Sequence, residues 1–304
     1  MPTMPIGGVD MNYVVIGAGG FLGSYLLQAL EQQKHHVLAT AREISGYTNT
    51  EYVTWVACDV ANAETTERLM DEMRNSRDWT VLYLAACHHP DVVQQDPKGA
   101  WNTNITALSA FINALENVSS FYYPSTDTVY GEGSLEHRFA ETDRLAPVNL
   151  YGRQKALAEQ IVLTYGYHVV RYPFLIGPSL ARNKKHFYDM ILDTVASGRT
   201  MDMFADSYRS ALSFRQAAEY LLDLTRMEQE TVPPLINVAS DDALSKYDIG
   251  RQIAISNGLD PQLIRPISIA HAEGIFKAPR ASTALLDNTL LKQVLSMDEI
   301  HLEL

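Results

Sequence analysis

The sequence predicts an α/β fold, a doubly wound and mostly parallel sheet with a smaller C-terminal α/β lobe. Strand-like apolar runs alternate with helical patterns to about residue 172, and a glycine-rich turn joins the first strand to the first helix. Beyond residue 172 the alternation loosens. We therefore expect one domain over residues 11–172 and a second lobe over 173–304, with a strand near 235–239 as a candidate to return to the sheet.

Composition excludes several classes of protein. The chain has 304 residues and a net charge of −12, which argues against a nucleic-acid surface. No apolar run reaches the roughly 18 to 20 residues that span a bilayer. Met1–Asp10 lacks the basic and apolar regions of a signal peptide, so we expect an unstructured leader and a cytoplasmic protein. Cys58 and Cys87 end apolar runs and are expected to be buried thiols rather than a disulfide or a metal pair.

The first strand, Tyr13–Ile16, is followed by a glycine-rich turn and an apolar-periodic helix. Glycines allow a tight turn and close backbone approach, and a helix N-terminus presents free N–H groups to a pyrophosphate. This arrangement predicts a Rossmann-type dinucleotide-binding domain over residues 11–172. The turn and the helix start supply its cofactor-binding residues, namely Gly17, Gly20, Phe21, Leu22 and Gly23.

The second strand ends at Ala41-Arg42, where an NAD-binding protein usually has an acidic residue for the adenosine ribose. Without a carboxylate there, nothing repels a 2′-phosphate, and Arg42 could bind one. NADP(H) is therefore favoured over NAD(H). The alternative is an ordinary exposed arginine that follows a strand.

The third and fourth strands, 52–56 and 80–84, also end in candidate residues. Asp59 and Val60 are expected near the adenine, although Asp59 could equally cap the next helix. Small residues at Ala85 and Ala86 would let a cofactor lie against the backbone. His88 is a candidate to face the substrate, and no third ligand at zinc spacing accompanies it and His89, so no metal is expected.

A long helical pattern from Ala100 to Leu115 precedes the fifth strand, whose carboxyl end carries Ser125 and Thr126. Ligands of open α/β sheets bind outside such strand ends. Tyr151 and Lys155 follow at a spacing of one helical turn, so the ammonium could favour the phenolate and adjust its pKa for proton transfer. Tyr-x-x-x-Lys alone also occurs by chance. Together with Thr126, the pair predicts proton transfer to a carbonyl or carbinol oxygen.

Beyond residue 172 the pattern predicts helices near 185–197, 215–225 and 246–257. This region, 173–304, is expected to be mainly a substrate-binding lobe over the strand ends. Arg209 and Arg280 are candidates for gripping a diphosphate, with surface or ion-paired arginines as the alternative.

The glycine turn, the Ser125-Thr126 strand end and Tyr151-x-x-x-Lys155 together resemble the extended short-chain dehydrogenase/reductase family, also called the NAD-dependent epimerase/dehydratase superfamily. Within it the chain looks most like the dTDP-4-dehydrorhamnose reductase branch and related sugar-nucleotide enzymes. The features shared with that branch are Ala85-Ala86-Cys87-His88, Ser125-Thr126-Asp127, Leu150–Lys155, Leu244–Tyr247 and Pro279–Ser282.

The resemblance implies roles for individual residues. Tyr151 would be the general acid/base, Thr126 would hydrogen-bond the reacting oxygen, and Lys155 would hold the nicotinamide ribose and lower the Tyr151 pKa. Pro173 and Phe174 would lie against the nicotinamide, while Asn104 would support the site. The remaining substrate-binding candidates are His88, Asp127, Arg209 and Arg280.

The implied activity is NAD(P)(H)-dependent oxidoreduction at a keto or hydroxyl carbon of a nucleotide-activated sugar. Dehydratases of the family carry Asp-Glu where this chain has Asp127-Thr128, which argues against elimination of water. Two alternatives stay open: a nucleotide-sugar epimerase with retained cofactor, and a non-catalytic regulatory subunit that binds NADP. The resemblance also implies a homodimer that pairs through helices of the cofactor domain.

Overall fold

The computed structural model describes residues 11–74, 78–116, 118–271 and 274–304, so the leader predicted for Met1–Asp10 lies outside the described residues. The strands, in chain order, are β1 (Asn12–Ile16), β2 (His36–Ala41), β3 (Val53–Ala57), β4 (Trp79–Tyr83), β5 (Val118–Thr126), β6 (Arg138–Phe139), β7 (His168–Tyr172), β8 (Leu175–Ile176), β9 (Met201–Phe204), β10 (Tyr208–Arg209), β11 (Leu212–Ser213), β12 (Leu235–Asn237), β13 (Leu244–Ser245), β14 (Ile264–Ile267) and β15 (Thr283–Leu286). The α-helices are α1 (Phe21–Gln32), α2 (Ala63–Arg74), α3 (Pro90–Gln95), α4 (Pro97–Trp101), α5 (Leu108–Asn113), α6 (Leu150–Thr164), α7 (Phe187–Ala196), α8 (Phe214–Thr225), α9 (Lys246–Ser256) and α10 (Thr289–Leu295).

A seven-stranded parallel sheet in the order β12-β7-β5-β4-β1-β2-β3 forms the centre of the protein. The order reverses between β1 and β4, and the carboxyl ends of the strands share one edge, so ligands are expected there. The predicted doubly wound sheet is confirmed. The short strand Leu235–Asn237 pairs with β7 at the edge of this sheet.

Both faces of the sheet are covered, which explains why its strands are almost continuously apolar. Residues of α1 and α8 pack on one face, and residues of α2, α5 and α6 pack on the other. In β1, the side chains of Tyr13–Ile16 are fully buried. Cys58 is buried and Cys87 is partly buried, and both are free thiols.

The second lobe contains a four-stranded sheet in the order β13-β10-β15-β6 and a separate apolar core to which α7 and α9 contribute. Strand β6 comes from the part of the chain before residue 172, whereas α8 packs against α1 on the central sheet. The lobe therefore uses chain segments from both sides of residue 172.

Most predicted helices are confirmed with small shifts of their ends, but the single helix expected over Ala100–Leu115 is not. The chain there forms α4, then a π-helical segment at Asn102–Ala107, and then α5. Short π-helical segments often accompany functional sites because they redirect side chains. None of the helices in the described ranges is long and apolar enough to cross a membrane.

Candidate active site

The glycine turn after β1 is packed too tightly for larger side chains. Gly17 has a φ of +83°, and a Cβ atom added to it would lie 3.1 Å from the backbone nitrogen of Ala85. At Gly23 an added Cβ would lie 2.6 Å from the carbonyl oxygen of Ala18, so α1 can approach β1 closely only with glycine there.

The first turn of α1 offers its backbone N–H groups to a ligand. Gly20 is the N-cap residue, and no side chain caps the helix. Uncapped N–H groups and the positive end of the helix dipole form a ready site for a phosphate group. Phe21 and Leu22 are the first two residues of the helix and are partly buried, with the Phe21 ring stacked 5.9 Å from the ring of Phe214. This cradle fits the diphosphate of a dinucleotide.

One basic side chain contacts the glycine turn, and two others belong to nearby segments of the chain. Arg42 is exposed after β2, and no described residue bonds its guanidinium group. The Lys184 ammonium donates a hydrogen bond of 3.1 Å to the Gly19 carbonyl, and the Arg182 guanidinium occupies the space that a side chain at Gly46 would need. Lys184 thus places a positive charge at the turn, although the protein as a whole is acidic.

The residues after β3 form a turn that leads into α2. An Asp59 carboxylate oxygen accepts a hydrogen bond of 3.0 Å from the Ala61 N–H, while Asn62 accepts one of 3.0 Å from the Glu64 N–H at the start of α2. Asn62, and not Asp59, therefore caps α2. The position of Asp59 near the adenine stays a prediction. Val60 is partly buried and packs against the core beneath α2.

The loop after β4 is held in place by Asn104 from the π-helical segment. Its side-chain oxygen accepts a hydrogen bond of 2.7 Å from the Cys87 N–H, and its amide nitrogen donates one of 2.8 Å to Gln154 on α6. Ala85 and Ala86 are partly buried at the same strand end, and His88 is exposed beyond them. Asn104 thus joins the β4 loop to the helix that carries Tyr151.

The structure brings Thr126 and Tyr151 together, because the Thr126 side chain lowers the pKa of the Tyr151 phenol, while the Thr126 hydroxyl group itself donates a hydrogen bond of 3.0 Å to Asp127. Asn149 caps α6 by accepting a hydrogen bond of 2.9 Å from the Gly152 N–H, which fixes the start of the helix beside the end of β5. A Cβ on Gly152 would lie 2.6 Å from the carbonyl oxygen of Thr128, so glycine is needed for this approach.

Lys155 is buried one helical turn from Tyr151, and the net shift of the Tyr151 pKa is opposite to the expected one. Its ammonium donates a hydrogen bond of 2.6 Å to the Pro124 carbonyl and lies 3.8 Å from the centre of the Tyr123 ring. The pKa of Tyr151 is raised, not lowered, because burial and then the Asp127 carboxylate disfavour the phenolate, while the Thr126 hydrogen bond opposes them. Burial also lowers the pKa of Lys155 to about 7, and Glu159 partly offsets this effect.

A buried ion pair lies beneath Lys155. The Arg171 guanidinium donates to both carboxylate oxygens of Glu159, at 3.0 and 2.6 Å, and Ser125 donates a further short hydrogen bond to Glu159. Arg171 also donates a hydrogen bond of 2.6 Å to the Tyr130 hydroxyl. These contacts hold α6, β5 and β7 in one rigid arrangement behind the candidate site.

The candidate substrate-binding residues are largely paired with acidic groups. The Nε atom of Arg209 lies 3.1 Å from Oδ2 of Asp127, and Arg280 contacts Asp91 at 2.9 Å. Burial raises the pKa of Asp127, and Arg209 opposes that rise. A substrate phosphate would therefore compete with internal partners for both arginines.

Pro173 and Phe174 follow β7 at the same edge of the sheet, and Pro173 is buried. The Lys246 ammonium lies 5.4 Å from the centre of the Phe174 ring. Within the described ranges, no group of three His, Cys, Asp or Glu side chains converges in a way that could hold a metal ion.

Comparison with known proteins gives a family for this arrangement. The family model described as RmlD substrate binding domain matches residues 11–302. The chain belongs to the RmlD substrate-binding-domain family. The predicted resemblance to extended short-chain dehydrogenases/reductases of the dTDP-4-dehydrorhamnose reductase branch is thereby confirmed.

Three relatives of this RmlD-family chain cover most of its length. It is 28% identical to a probable low-salt glycan biosynthesis reductase, Agl14, from Haloferax volcanii, covering 91% of each chain. It is 24% identical to methionine adenosyltransferase 2 subunit beta from Xenopus tropicalis, over 92% of this chain and 81% of the relative. The structure of dTDP-4-dehydrorhamnose reductase from Bacillus anthracis in complex with NADP superposes with a TM-score of 0.77 at 18% identity, covering 94% of this chain and 93% of that one.

Sequence reasoning missed two basic residues of this RmlD-family site. Lys184 approaches the glycine turn from a segment with three further basic residues, Arg182, Lys185 and His186. Such a basic cluster in an acidic chain could have indicated an anion-binding site. Lys246 is the first residue of α9, directly after the Ser245 cap. A cation at a helix N-terminus opposes the helix dipole, so a lysine at this position indicates a role other than stabilising the helix.

Proposed function

We propose that this protein is an NAD(P)H-dependent oxidoreductase that acts on a keto or hydroxyl carbon of a nucleotide-activated sugar. The observation that carries the proposal is the convergence of Thr126, Tyr151 and Lys155 at the carboxyl end of β5, on the edge of the sheet that also carries the glycine turn. Membership of the RmlD family and the similarity to a probable glycan biosynthesis reductase support the same activity.

The residues of the turn fit a dinucleotide. Its diphosphate would be held by the free N–H groups of α1, with the adenosine towards β2 and the nicotinamide towards Ala85, Pro173 and Phe174. A bound reduced nicotinamide would supply the hydride for the sugar carbon. Buried Lys155 would bind the adjoining ribose hydroxyl groups.

Tyr151 would donate the proton that completes reduction. Its raised pKa keeps the phenol protonated near neutral pH, which is the state required of a general acid. The Thr126 hydroxyl group would orient the same carbonyl oxygen by a hydrogen bond. As the proton leaves Tyr151, the charge on Lys155 one helical turn away would stabilise the phenolate.

The proposal includes a preference for NADP(H). Arg42 is exposed and unpaired within the described ranges, at the end of the strand that normally faces the adenosine ribose. A guanidinium group is well suited to a 2′-phosphate, because it offers several N–H donors and a permanent charge.

The proposal also includes a homodimer. On α6 and just after it, Leu157, Ile161 and Tyr165 recur at intervals of four residues and form an apolar stripe, with Leu157 40% and Tyr165 46% exposed. An exposed stripe of this kind supports pairing with a second copy through α6. Sedimentation of the purified protein tests it, and a monomer at micromolar concentration would contradict it.

A regulatory subunit is the second candidate, favoured by the similarity to methionine adenosyltransferase 2 subunit beta. Measured turnover distinguishes the oxidoreductase from the regulatory subunit. NADPH oxidation with nucleotide-linked 4-keto sugars, and thermal shifts with NADPH and nucleotide sugars, would support the enzyme. Cofactor binding without any nucleotide-sugar binding or turnover would favour the regulatory subunit. Sugar interconversion without net NADPH consumption would indicate an epimerase.

A further inference from the structure

Lys246 is a cation without an anionic partner in the candidate site. Its ammonium lies 5.4 Å from the centre of the Phe174 ring and 5.7 Å from that of Phe187. In the described part of the chain, no side chain or carbonyl oxygen accepts a hydrogen bond from it. The two aromatic faces attract the ammonium only weakly compared with a carboxylate.

The acidic side chains nearby are already engaged. Asp127 is paired with Arg209 at 3.1 Å, and Asp91 is paired with Arg280 at 2.9 Å. The positive charges of Arg209 and Arg280 disfavour the charged form of Lys246, and the Asp127 carboxylate favours it. Lys246 is thus the cation of this group that has no counter-ion of its own.

The fold does not need a lysine at this position. Helix α9 is capped without it, because Ser245 and Asp248 form a capping box: the Ser245 hydroxyl oxygen accepts a hydrogen bond of 3.1 Å from the Asp248 N–H, and the Asp248 carboxylate accepts one of 3.0 Å from the Ser245 N–H. A positive charge in the first turn also opposes the helix dipole. Partial burial lowers the pKa of Lys246 to about 8, so its charged form is already disfavoured.

The ammonium lies near residues that follow β7 and β5, because the Phe174 ring is 5.4 Å away and the Asp127 carboxylate acts on it electrostatically. Phe174 follows β7, and the last residue of that strand, Tyr172, is paired with Thr126 at the end of β5. In a nucleotide sugar the diphosphate is attached to C1, and the pyranose ring separates it from C4. The ring neighbours of C4 are C3, which carries a hydroxyl group, and C5, which carries C6, and only C6 can form a carboxylate, so a cation beside C4 can be paired by an acid group at C6.

We propose that Lys246 binds a carboxylate at C6 of the sugar, which makes nucleotide-activated hexuronic acids the preferred substrate class. This inference rests on the proposed function and deepens it. The carboxylate would supply the counter-ion that Lys246 lacks, and a neutral hydroxymethyl group at C6 would leave the ammonium unpaired.

The test compares UDP-glucuronic acid with UDP-glucose, and the matching dTDP pair, by calorimetry in the presence of NADPH. For wild-type protein we expect the uronate to bind about tenfold more tightly or better. Lys246→Met should abolish that preference and leave the affinity for the neutral sugar nucleotide unchanged. Lys246→Arg should retain part of it, and Lys34→Met, which removes an exposed charge elsewhere, should retain all of it.

Unliganded thermal midpoints of all variants would show that they are folded. Equal binding of uronate and neutral sugar by the wild type would overturn the inference. An equal loss of UDP, UDP-glucose and UDP-glucuronic acid binding in Lys246→Met would assign Lys246 to the diphosphate and overturn it as well. If wild-type protein bound none of the nucleotides, the proposed function itself would be wrong, and this inference would fall with it.

Discussion

Arg209 and Asp127 form an ion pair that joins the second lobe to the carboxyl edge of the central sheet. The Nε atom of Arg209 lies 3.1 Å from Oδ2 of Asp127, and the side chains are 18% and 7% exposed. The other guanidinium nitrogens donate to backbone carbonyls, including those of Ser282 at 2.9 Å and Ala281 at 2.7 Å. One arginine therefore links β10, the end of β5 and the loop before β15.

Arg209→Met is expected to destabilise the protein by about 3 kcal/mol, because it leaves the buried Asp127 carboxylate without its cation. The double variant Arg209→Met with Asp127→Asn should lose less than the sum of the two single variants, since the second change removes the unpaired charge. Urea unfolding of the four proteins measures the difference. Free energies that add within about 0.5 kcal/mol would show that the pair is not coupled.

Tyr151→Phe is expected to lower turnover by about 10²- to 10⁴-fold, the usual contribution of a positioned acid or base. NADPH affinity should change little, because the phenol oxygen acts on the substrate. Steady-state kinetics measure the turnover, and a thermal shift with NADPH measures the cofactor affinity. Tyr165→Phe is the matched control, since Tyr165 is exposed and Asn113 is the one described side chain that its hydroxyl group hydrogen-bonds. Wild-type turnover in Tyr151→Phe would exclude the phenol as the proton donor.

The parts of the site that the sequence predicts are those that depend on local spacing. Gly17 and Gly23 lie within one strand-turn-helix unit, and Tyr151 and Lys155 are one helical turn apart on α6. Parallel strands then bring their carboxyl ends to one edge, so the approximate meeting of these groups follows from topology. Candidate residues could therefore be named without coordinates.

The charge pairs depend on tertiary packing, which residue spacing does not encode. Arg209 reaches Asp127 only because β10 lies over the end of β5, and that position is set by the packing of the lobe. The net shift of the Tyr151 pKa is upward rather than downward, because burial of the phenol and the nearby Asp127 carboxylate dominate it, and both depend on tertiary packing.

The buried ammonium of Lys155 should make the stability of the ligand-free protein depend on pH. Its pKa falls from 10.5 to about 7 on folding, so between these values the unfolded chain binds more protons than the folded one. The contribution of Lys155 to stability therefore rises with pH through this window and is flat below about pH 7. From pH 7 to pH 9, wild type should gain about 2 kcal/mol relative to Lys155→Met.

Urea unfolding at pH 7, 8 and 9 measures this difference. Lys34→Met, which removes an exposed lysine, should follow the wild-type pH dependence. Parallel curves for wild type and Lys155→Met would mean that the ammonium is charged without penalty in the folded protein.

Arg42→Ser is expected to weaken NADPH binding by about tenfold or more, because a charged hydrogen bond to a 2′-phosphate contributes about 1.5–3 kcal/mol. NADH binding should stay within twofold of wild type, since NADH lacks that phosphate. Fluorescence titration with each cofactor measures the ratio. Arg153→Ser, which removes an exposed arginine on α6, is the control. An equal loss for both cofactors, or a wild-type preference for NADH, would contradict the role of Arg42.

Glu159→Gln is expected to destabilise the protein by about 3–5 kcal/mol, although Glu159 touches neither ligand in the proposed mechanism. Glu159 is fully buried and accepts two hydrogen bonds from the Arg171 guanidinium, whose side chain is 3% exposed. A neutral amide would leave that guanidinium charged and uncompensated in the interior. Urea unfolding measures the loss, and Glu67→Gln on the exposed face of α2 should stay within about 0.5 kcal/mol of wild type.

The same substitution should lower the pKa of Lys155 further, because Glu159 is the charge that raises it. The pH range over which the free energy of unfolding rises because of Lys155 would then begin below pH 7 in Glu159→Gln. Unfolding of Glu159→Gln at pH 6 and 7, compared with the double variant that also carries Lys155→Met, isolates that shift. A loss of less than about 1 kcal/mol in Glu159→Gln would show that water or another group replaces the carboxylate, and that the ion pair does not hold the catalytic helix in place.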